Sequence, residues 1–163
     1  MTTLTHTVTG LALGKLMFNS IGAPAFYMDE TTFVLYSGII SNFPDLNMLW
    51  KRNLHTHHDD LTHYPVIPFV LSMLFLVLSR FLIIPNELLI FPILWLIHLF
   101  LDLYGIRAGI HLFWPFNRHE VSLIKLEKIE KASITKKIDI ALSNGQVVFE
   151  LVALAVSITF LLT

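Results

Sequence analysis

The chain has 163 residues, of which 55% are hydrophobic and 14% are charged, and its formal net charge is −1. This length suits one domain, taken as residues 1–163, and the near-neutral charge excludes a strongly basic nucleic-acid-binding protein. Because cysteine is absent, disulfides, thiolate nucleophiles and Cys-ligated metals are excluded, so any bound metal would be held by His, Asp and Glu.

Two short helices are predicted first, over about residues 5–20 and 31–42, joined by the turn-forming sequence GAPAFYMDE. Three longer apolar stretches follow, at residues 65–84, 87–105 and 147–163. Each has roughly the 17–20 residues needed to cross a bilayer. The alternative is a hydrophobic helical core in a soluble protein, but no polar face accompanies these stretches. We therefore predict an all-α, polytopic membrane bundle of about five helices.

The basic residues predict the orientation of that bundle. Residues 104–145 hold seven of the eleven Lys and Arg residues, and such residues accumulate in cytoplasmic loops. Within this region, residues 118–145 are predicted to form a cytoplasmic amphipathic segment along the membrane surface. Alternation of the helices then places the segment before residue 65, which carries Lys51 and Arg52, on the same side. These charges therefore predict an integral membrane protein whose polar segments face the cytoplasm.

This topology brings polar side chains from separate parts of the sequence to the cytoplasmic side. His98 and Asp102 are four residues apart on one helix and therefore project from nearly the same face. An aspartate within a spanning helix is costly and usually faces a polar cavity or a partner. The other residues are His6, Asp45, and the histidines of the stretch HTHHDDLTH (His55, His57, His58 and His63).

The His-rich stretch can supply two ligands only if its backbone turns. His58 and His63 are five residues apart and cannot share one helical face. A helix that starts with Thr62 as its N-cap and Pro65 in its first turn would allow them to converge. His55 or His57 could take the place of His58, and the sequence leaves that choice open. His111 and His119 are predicted to be mainly surface residues.

Five motifs in order carry a resemblance to a known family: THTVTG, FPDLN, HDDLTH, HLFLD and WPF. Over residues 5–116 the chain resembles the membrane-bound metal-dependent hydrolases, small inner-membrane proteins associated with the SOS response of bacteria. The order of Asp, His and H-x-x-x-D is also distantly similar to zinc-dependent phospholipases C and P1-type nucleases. The resemblance implies six metal ligands: His6, Asp45, His58, His63, His98 and Asp102.

The sequence departs from the family pattern at two places. Asn47 stands where the family has the second Asp of P-D-x-D, which removes one anionic ligand. Asp59 and Asp60 stand where the family has Arg-Gly, which puts negative charge in place of a positive one.

The resulting hypothesis is a hydrolase that cleaves a phosphoester of a membrane lipid or another amphiphile. Two or more divalent ions, Zn²⁺ or alternatively Mn²⁺ or Fe²⁺, would activate a water molecule. Asp102 or Asp59 would orient that water or accept its proton. The alternatives are a non-enzymatic metal-binding membrane protein, such as a sensor or an interaction subunit, and a His-rich di-iron lipid oxygenase.

Overall fold

A computed structural model describes residues 2–22, 26–49, 58–104, 109–123, 133–143 and 145–162. Within these ranges the regular structure is helical, as the sequence predicts, apart from an isolated antiparallel bridge between Ile110 and Val121. The α-helices of the described ranges are α1 (Thr3–Ile21), α2 (Glu30–Ile40), α3 (Val66–Leu78), α4 (Asn86–Asp102), α5 (Ile134–Ser143) and α6 (Gln146–Leu162).

The first two helices form a closely packed hairpin. Thr2 and Asp29 cap their N-termini, because each side chain accepts a backbone N–H of the first turn. Gly10 and Gly14 of α1 face α2 so closely that a Cβ at Gly14 would lie 2.6 Å from Cβ of Ser37. The hairpin therefore depends on residues without bulky side chains at the crossing.

Helix α4 organises the apolar core. Its Ile90 and Leu94 pack with Phe18 of α1 and Phe33 of α2, and all four are buried. One turn later a second cluster forms from Trp95, Leu99, Leu103 and Ile110, with Phe43 and Leu71 packed against it. The polar residues of α4 that follow this core, His98 and Asp102, are buried as well.

The prediction of a polytopic membrane bundle is wrong for this structure. Among the described residues, no helix combines the length and the apolar character that crossing a bilayer requires. The stretch predicted over residues 65–84 is a helix only from Val66 to Leu78, 13 residues, and turns follow at Ser79 and Arg80. α1 has 19 residues but carries His6 and Lys15. The second and third predicted stretches are helices of 17 residues each, α4 and α6.

The segments around the predicted ligands are tight turns. Phe43–Leu49 and Leu61–His63 are 3₁₀ helices. Thr62 is not the N-cap of a long helix: Asp60 caps the short turn instead, and α3 begins at Val66 after Pro65. Trp95 Nε1 donates a hydrogen bond of 2.6 Å to the Thr62 carbonyl, which fixes this turn against α4.

Several predictions fall on residues outside the described ranges. His55 and His57, the alternatives to His58, are among them, as are Lys51 and Arg52. Of the amphipathic segment predicted over 118–145, residues 124–132 and 144 are also outside, whereas α5 is described.

Candidate metal centre

The structure brings the six predicted ligands into one buried cluster. His6 comes from α1, Asp45 from the first 3₁₀ helix, His58 and His63 from the turn before α3, and the last two from the C-terminal turn of α4. Ligand atoms of four of them lie within 4.8 Å of one another: Asp45, His63, His98 and Asp102. The structure therefore brings these segments together, although not through the membrane topology from which their convergence was predicted.

Asp102 is the centre of the cluster. Its Oδ1 lies 3.1 Å from Nε2 of His6, and its Oδ2 lies 3.0 Å from Nε2 of His98. The same Oδ2 is 3.7 Å from Nε2 of His58 and 3.9 Å from Nε2 of His63. Four imidazoles therefore surround one carboxylate that is only 1% exposed.

Asp45 is the second carboxylate of the cluster and lies near two of the same histidines. Its Oδ1 lies 3.5 Å from Nε2 of His63 and 3.6 Å from Nε2 of His98. These two histidines thus lie between two carboxylates. The rings also pack on one another, because His6 stacks on His98 with centroids 3.9 Å apart and His58 stacks on His63 at 4.5 Å.

Backbone carbonyls fix the orientation of two of the rings. His98 Nδ1 lies 2.7 Å from the Ser41 carbonyl oxygen, and His58 Nδ1 lies 3.1 Å from that of Gly109. A carbonyl can only accept, so each Nδ1 carries a hydrogen and each Nε2 faces the cluster. His98 Nε2 is buried and makes no hydrogen bond of good geometry among the described residues.

The charges of the cluster shift its pKa values in opposite directions. Burial by itself lowers the pKa of His98, but the negative charges of Asp102 and Asp45 outweigh burial and raise it to about 9. Burial opposes ionisation of Asp102, yet the charge of His98 holds its pKa well below the usual value, and Asp45 is shifted the same way by His63 and His98. Burial and the nearby His98 lower the pKa of His6.

The donor set fits a divalent cation. Imidazole nitrogens and carboxylate oxygens in a buried site suit Zn²⁺, Mn²⁺ or Fe²⁺. Two carboxylates facing inward-directed Nε2 atoms require a positive charge between them, either a proton on His98 or a metal ion. A metal-bound histidine usually donates its other ring N–H to a carbonyl or carboxylate oxygen. His98 and His58 each direct Nδ1 to a backbone carbonyl in this way.

Asp59, the second predicted catalytic residue, lies beside this cluster. Its side chain is 68% exposed, and its Oδ1 is 3.6 Å from Nε2 of His111. The same Oδ1 accepts a hydrogen bond of 2.8 Å from the Tyr64 hydroxyl. Burial and Asp59 raise the pKa of Tyr64 to about 12, which keeps the phenol protonated as a donor. Tyr64 also stacks on Trp114 at 4.7 Å.

Three contributors were missed from the sequence. His111, predicted to be a surface residue, is only 8% exposed, whereas His119 is exposed as predicted. Ser41 and Gly109 act through carbonyl oxygens, which no side-chain pattern reveals. Gly109 lies two residues before His111, and Ile110 between them pairs with Val121, a contact that the sequence pattern does not reveal.

Asn47 is fully buried and lies behind His63. Its amide nitrogen is 3.3 Å from Thr62 Oγ1 and 3.5 Å from Nδ1 of His63. Nδ1 is the ring nitrogen on the side away from Nε2, the nitrogen that faces Asp45 and Asp102. The contact of the Asn47 amide is therefore with the back of one histidine.

Comparisons with known proteins give one match. The sequence profile of a family described as YdjM inner membrane protein matches residues 1–163. Neither the curated proteins nor the solved structures contain a match to the chain. The distant similarity to phospholipases C and P1-type nucleases gains no support from these comparisons.

Proposed function

Because the chain belongs to the YdjM inner membrane protein family, we propose that it is a membrane-bound, metal-dependent hydrolase acting on a phosphoester of a lipid or another amphiphile. The family description supports a location at the membrane. The hydrolytic activity, the metal and the substrate class are the proposal.

The observation that carries the proposal is the buried cluster around Asp102. Four histidines and two aspartates are placed in one polar site, and burying such groups without compensation is costly. Two of the imidazoles are turned by backbone carbonyls so that Nε2 faces the carboxylates. A structural role in packing would be met more simply by apolar side chains, whereas metal binding requires this donor set.

Each residue then has a defined part in the proposed reaction. His58, His63, His98, Asp45 and Asp102 would hold the cation, and His6 would orient Asp102, whose Oδ1 lies 3.1 Å from Nε2 of His6. A divalent ion in such a site would lower the pKa of water and polarise a phosphoryl oxygen. Asp102 orients the attacking water, and Asp59, which follows His58 directly and is fixed by Tyr64, accepts its proton.

The substrate class follows from the exposed apolar surface of α3, the helix that begins three residues after His63. Large apolar side chains are exposed on α3 and just after it, including Phe69, Val70, Phe81 and Ile83. Exposed apolar surface of this extent is typical of proteins that bind lipid or other proteins. For the site we propose the cytoplasmic side of the membrane, because Lys and Arg are concentrated in residues 104–145.

A matched set of variants tests the proposal. Purified wild-type protein should contain zinc, manganese or iron by mass spectrometry and should hydrolyse a phosphoester in a screen of phospholipids and generic phosphodiesters. His98→Ala and Asp102→Ala should lose both metal and activity. Asp59→Asn should keep the metal and lose most activity, since one proton-accepting group typically contributes about 10²–10⁴-fold. His119→Ala, at an exposed histidine, is the control.

The outcomes separate the alternatives. Unchanged metal content in both His98→Ala and Asp102→Ala would overturn the proposed site. Metal bound at the site without hydrolysis of any phosphoester would indicate the non-enzymatic sensor or interaction subunit. Oxygen consumption with a lipid and iron would instead indicate the di-iron oxygenase.

A further inference from the structure

Residues 110–121 form a closed loop beside the cluster, which we call the site loop. Ile110 and Val121 form its base, because each donates its backbone N–H to the carbonyl of the other, over 3.0 and 2.9 Å. The residue before the loop, Gly109, accepts the hydrogen bond of His58 Nδ1 at its carbonyl. The base of the site loop is therefore attached to the wall of the cluster.

The tip of the site loop exposes two phenylalanines. The carbonyl of Phe113 accepts the backbone N–H groups of Phe116 and Asn117 over 2.9 and 3.0 Å, so the tip is a hydrogen-bonded turn. Phe113 is 57% exposed and Phe116 is 96% exposed. Apolar side chains presented by an ordered turn gain free energy when an apolar partner covers them.

A lipid bilayer suits the chemistry of this tip. Phe116 is followed two residues later by the exposed Arg118, and residues 110–119 contain no Asp or Glu. An apolar turn beside a guanidinium matches the boundary of a bilayer, where hydrocarbon meets negatively charged phosphates. The family to which the chain belongs is also described as an inner membrane protein, so a bilayer is the apolar partner at hand.

Trp114 connects the tip to the cluster. Its ring stacks on that of Tyr64 at 4.7 Å, and the Tyr64 hydroxyl donates to Asp59 over 2.8 Å. Trp and Tyr are the side chains that concentrate at the boundary between lipid and water. The stack thus lies between the exposed phenylalanines and the side of the cluster where Asp59 is located.

We propose that the tip of the site loop inserts into the hydrocarbon of a lipid bilayer, with Phe113 and Phe116 among the acyl chains and Arg118 at the lipid phosphates. Insertion would hold the cluster at the membrane surface and bring lipid phosphates to the side of Asp59. This delivery of substrate rests on the proposed function, whereas insertion of the tip does not.

A single fluorescent label tests insertion, because the chain has no cysteine of its own. Full-length Phe116→Cys is labelled with nitrobenzoxadiazole and reconstituted into vesicles of phosphatidylcholine and phosphatidylglycerol. Since Phe116 is almost fully exposed, its replacement costs little packing. Lipids brominated on their acyl chains quench a label in hydrocarbon, and iodide quenches a label in water. We expect the emission to shift to the blue and to be lost with the brominated lipids but not with iodide.

The matched control is Thr31→Cys with the same label. Thr31 is exposed at the start of α2, at the opposite end of that helix from Ser41, whose carbonyl orients His98. Its label should be quenched by iodide. Iodide quenching at position 116 would overturn the proposal, and so would equal bromine quenching at both positions. A label at position 116 shielded from both quenchers would indicate a protein partner at the tip and would also overturn it.

The delivery of substrate is tested by the Michaelis constants. Phe113→Ser should raise KM about tenfold for a long-chain phospholipid and leave KM for a short-chain, soluble phosphoester unchanged. Leu35→Ser, which removes a side chain of similar exposure from α2, should change neither. An unchanged KM for the long-chain lipid in Phe113→Ser would overturn the delivery role.

The two proposals can fail separately. A label in hydrocarbon without hydrolysis of any phosphoester would mean that the proposed function fails and that insertion of the site loop stands. Metal-dependent hydrolysis with a label at position 116 that iodide quenches would mean that insertion fails and that the proposed function stands.

Discussion

At the scale of single residues, the site depends on a positive charge located between the carboxylates of Asp102 and Asp45. Asp102 and Asp45 are both held in the ionised form, and His98 lies within 3.0 Å of the first and 3.6 Å of the second. In the metal-free protein a proton on His98 meets this need, because its pKa is raised to about 9. A metal ion and that proton therefore compete for the same place.

This competition predicts a pH-dependent stability of the metal-free protein. The folded-state pKa of His98 is above the unfolded value of 6.5, so its contribution is fully present below pH 6.5 and is lost as the pH rises through 9. The loss amounts to about 3 kcal/mol. With chelator present, the melting temperature should fall by on the order of 10 °C across this window.

The control for the pH effect is a variant that cannot titrate. His98→Gln should have a nearly flat melting temperature between pH 6.5 and 9, whereas His119→Gln should follow the wild type. Equal pH dependence in His98→Gln and the wild type would contradict the assignment. Zinc binding should release a proton below pH 9 and should strengthen as the pH rises.

At the scale of the elements, the α1–α2 crossing sets the position of the site. A Cβ at Gly10 would lie 2.6 Å from Cβ of Ser41, and a Cβ at Gly14 would lie 2.6 Å from Cβ of Ser37. Ser41 donates its hydroxyl to the His6 carbonyl over 2.8 Å, and its own carbonyl orients His98. The close packing of α1 against α2 therefore helps to position two histidines of the cluster, His6 and His98.

Two alanine substitutions at this crossing should have different effects. Gly10→Ala and Gly14→Ala should each destabilise the protein by about 1–3 kcal/mol, because both overpack the crossing. Only Gly10→Ala displaces Ser41, so only it should also weaken metal binding in a zinc titration. Ser20→Ala, at an exposed position of α1, serves as the control for both measurements. Equal zinc affinity in Gly10→Ala and Gly14→Ala would show that the crossing does not orient His98.

The presence of the helices was predictable from the sequence, but the point at which α3 ends was not. The apolar stretches do predict α3, α4 and α6, since long apolar runs favour helix over loop. The end of α3 at Leu78 depends on turns at Ser79 and Arg80 inside an apolar run that continues to Ile84. Apolar composition alone does not reveal where such a helix ends, so the length of α3 was overestimated, whereas α6 has the 17 residues predicted.

At the scale of the whole molecule, the cluster links parts of the chain that are far apart in sequence. The proposed ligands come from α1, two 3₁₀ helices with their adjoining turns, and α4, so a bound metal would connect all of them at once. Only the folded chain assembles the site, and metal binding would therefore add to the free energy of unfolding by RT ln(1 + [L]/Kd).

Removal of the metal should therefore lower the stability of the whole chain. At a free zinc concentration of about 1,000 times Kd the gain is about 4 kcal/mol, and chelation should remove it. The readout is the melting temperature with and without chelator at fixed pH. In Asp102→Ala the chelator should make no difference, and an equal chelator effect in that variant would place the metal elsewhere.

The proximity of His98 and Asp102 was predictable from their spacing on one helix, whereas the sequence left open whether His55, His57 or His58 lies beside His63. The groups that contact the other side of these histidine rings were not predictable from the sequence. The Ser41 and Gly109 carbonyls belong to residues without a polar role in the sequence pattern, and the contact of Asn47 with the back of His63 depends on two turns meeting in space. Such contacts follow from the packing of elements against α4, which no local pattern encodes.

The distance in sequence between His6 and Gly109 has a consequence for biosynthesis. His58 receives its orienting carbonyl from Gly109, so the complete cluster cannot exist until about two-thirds of the chain has left the ribosome. His6 emerges first and must wait, unliganded, for α4 to be made. A metal bound at this site would therefore be acquired late in synthesis, and a truncated product that ends before α4 would lack both His98 and Asp102.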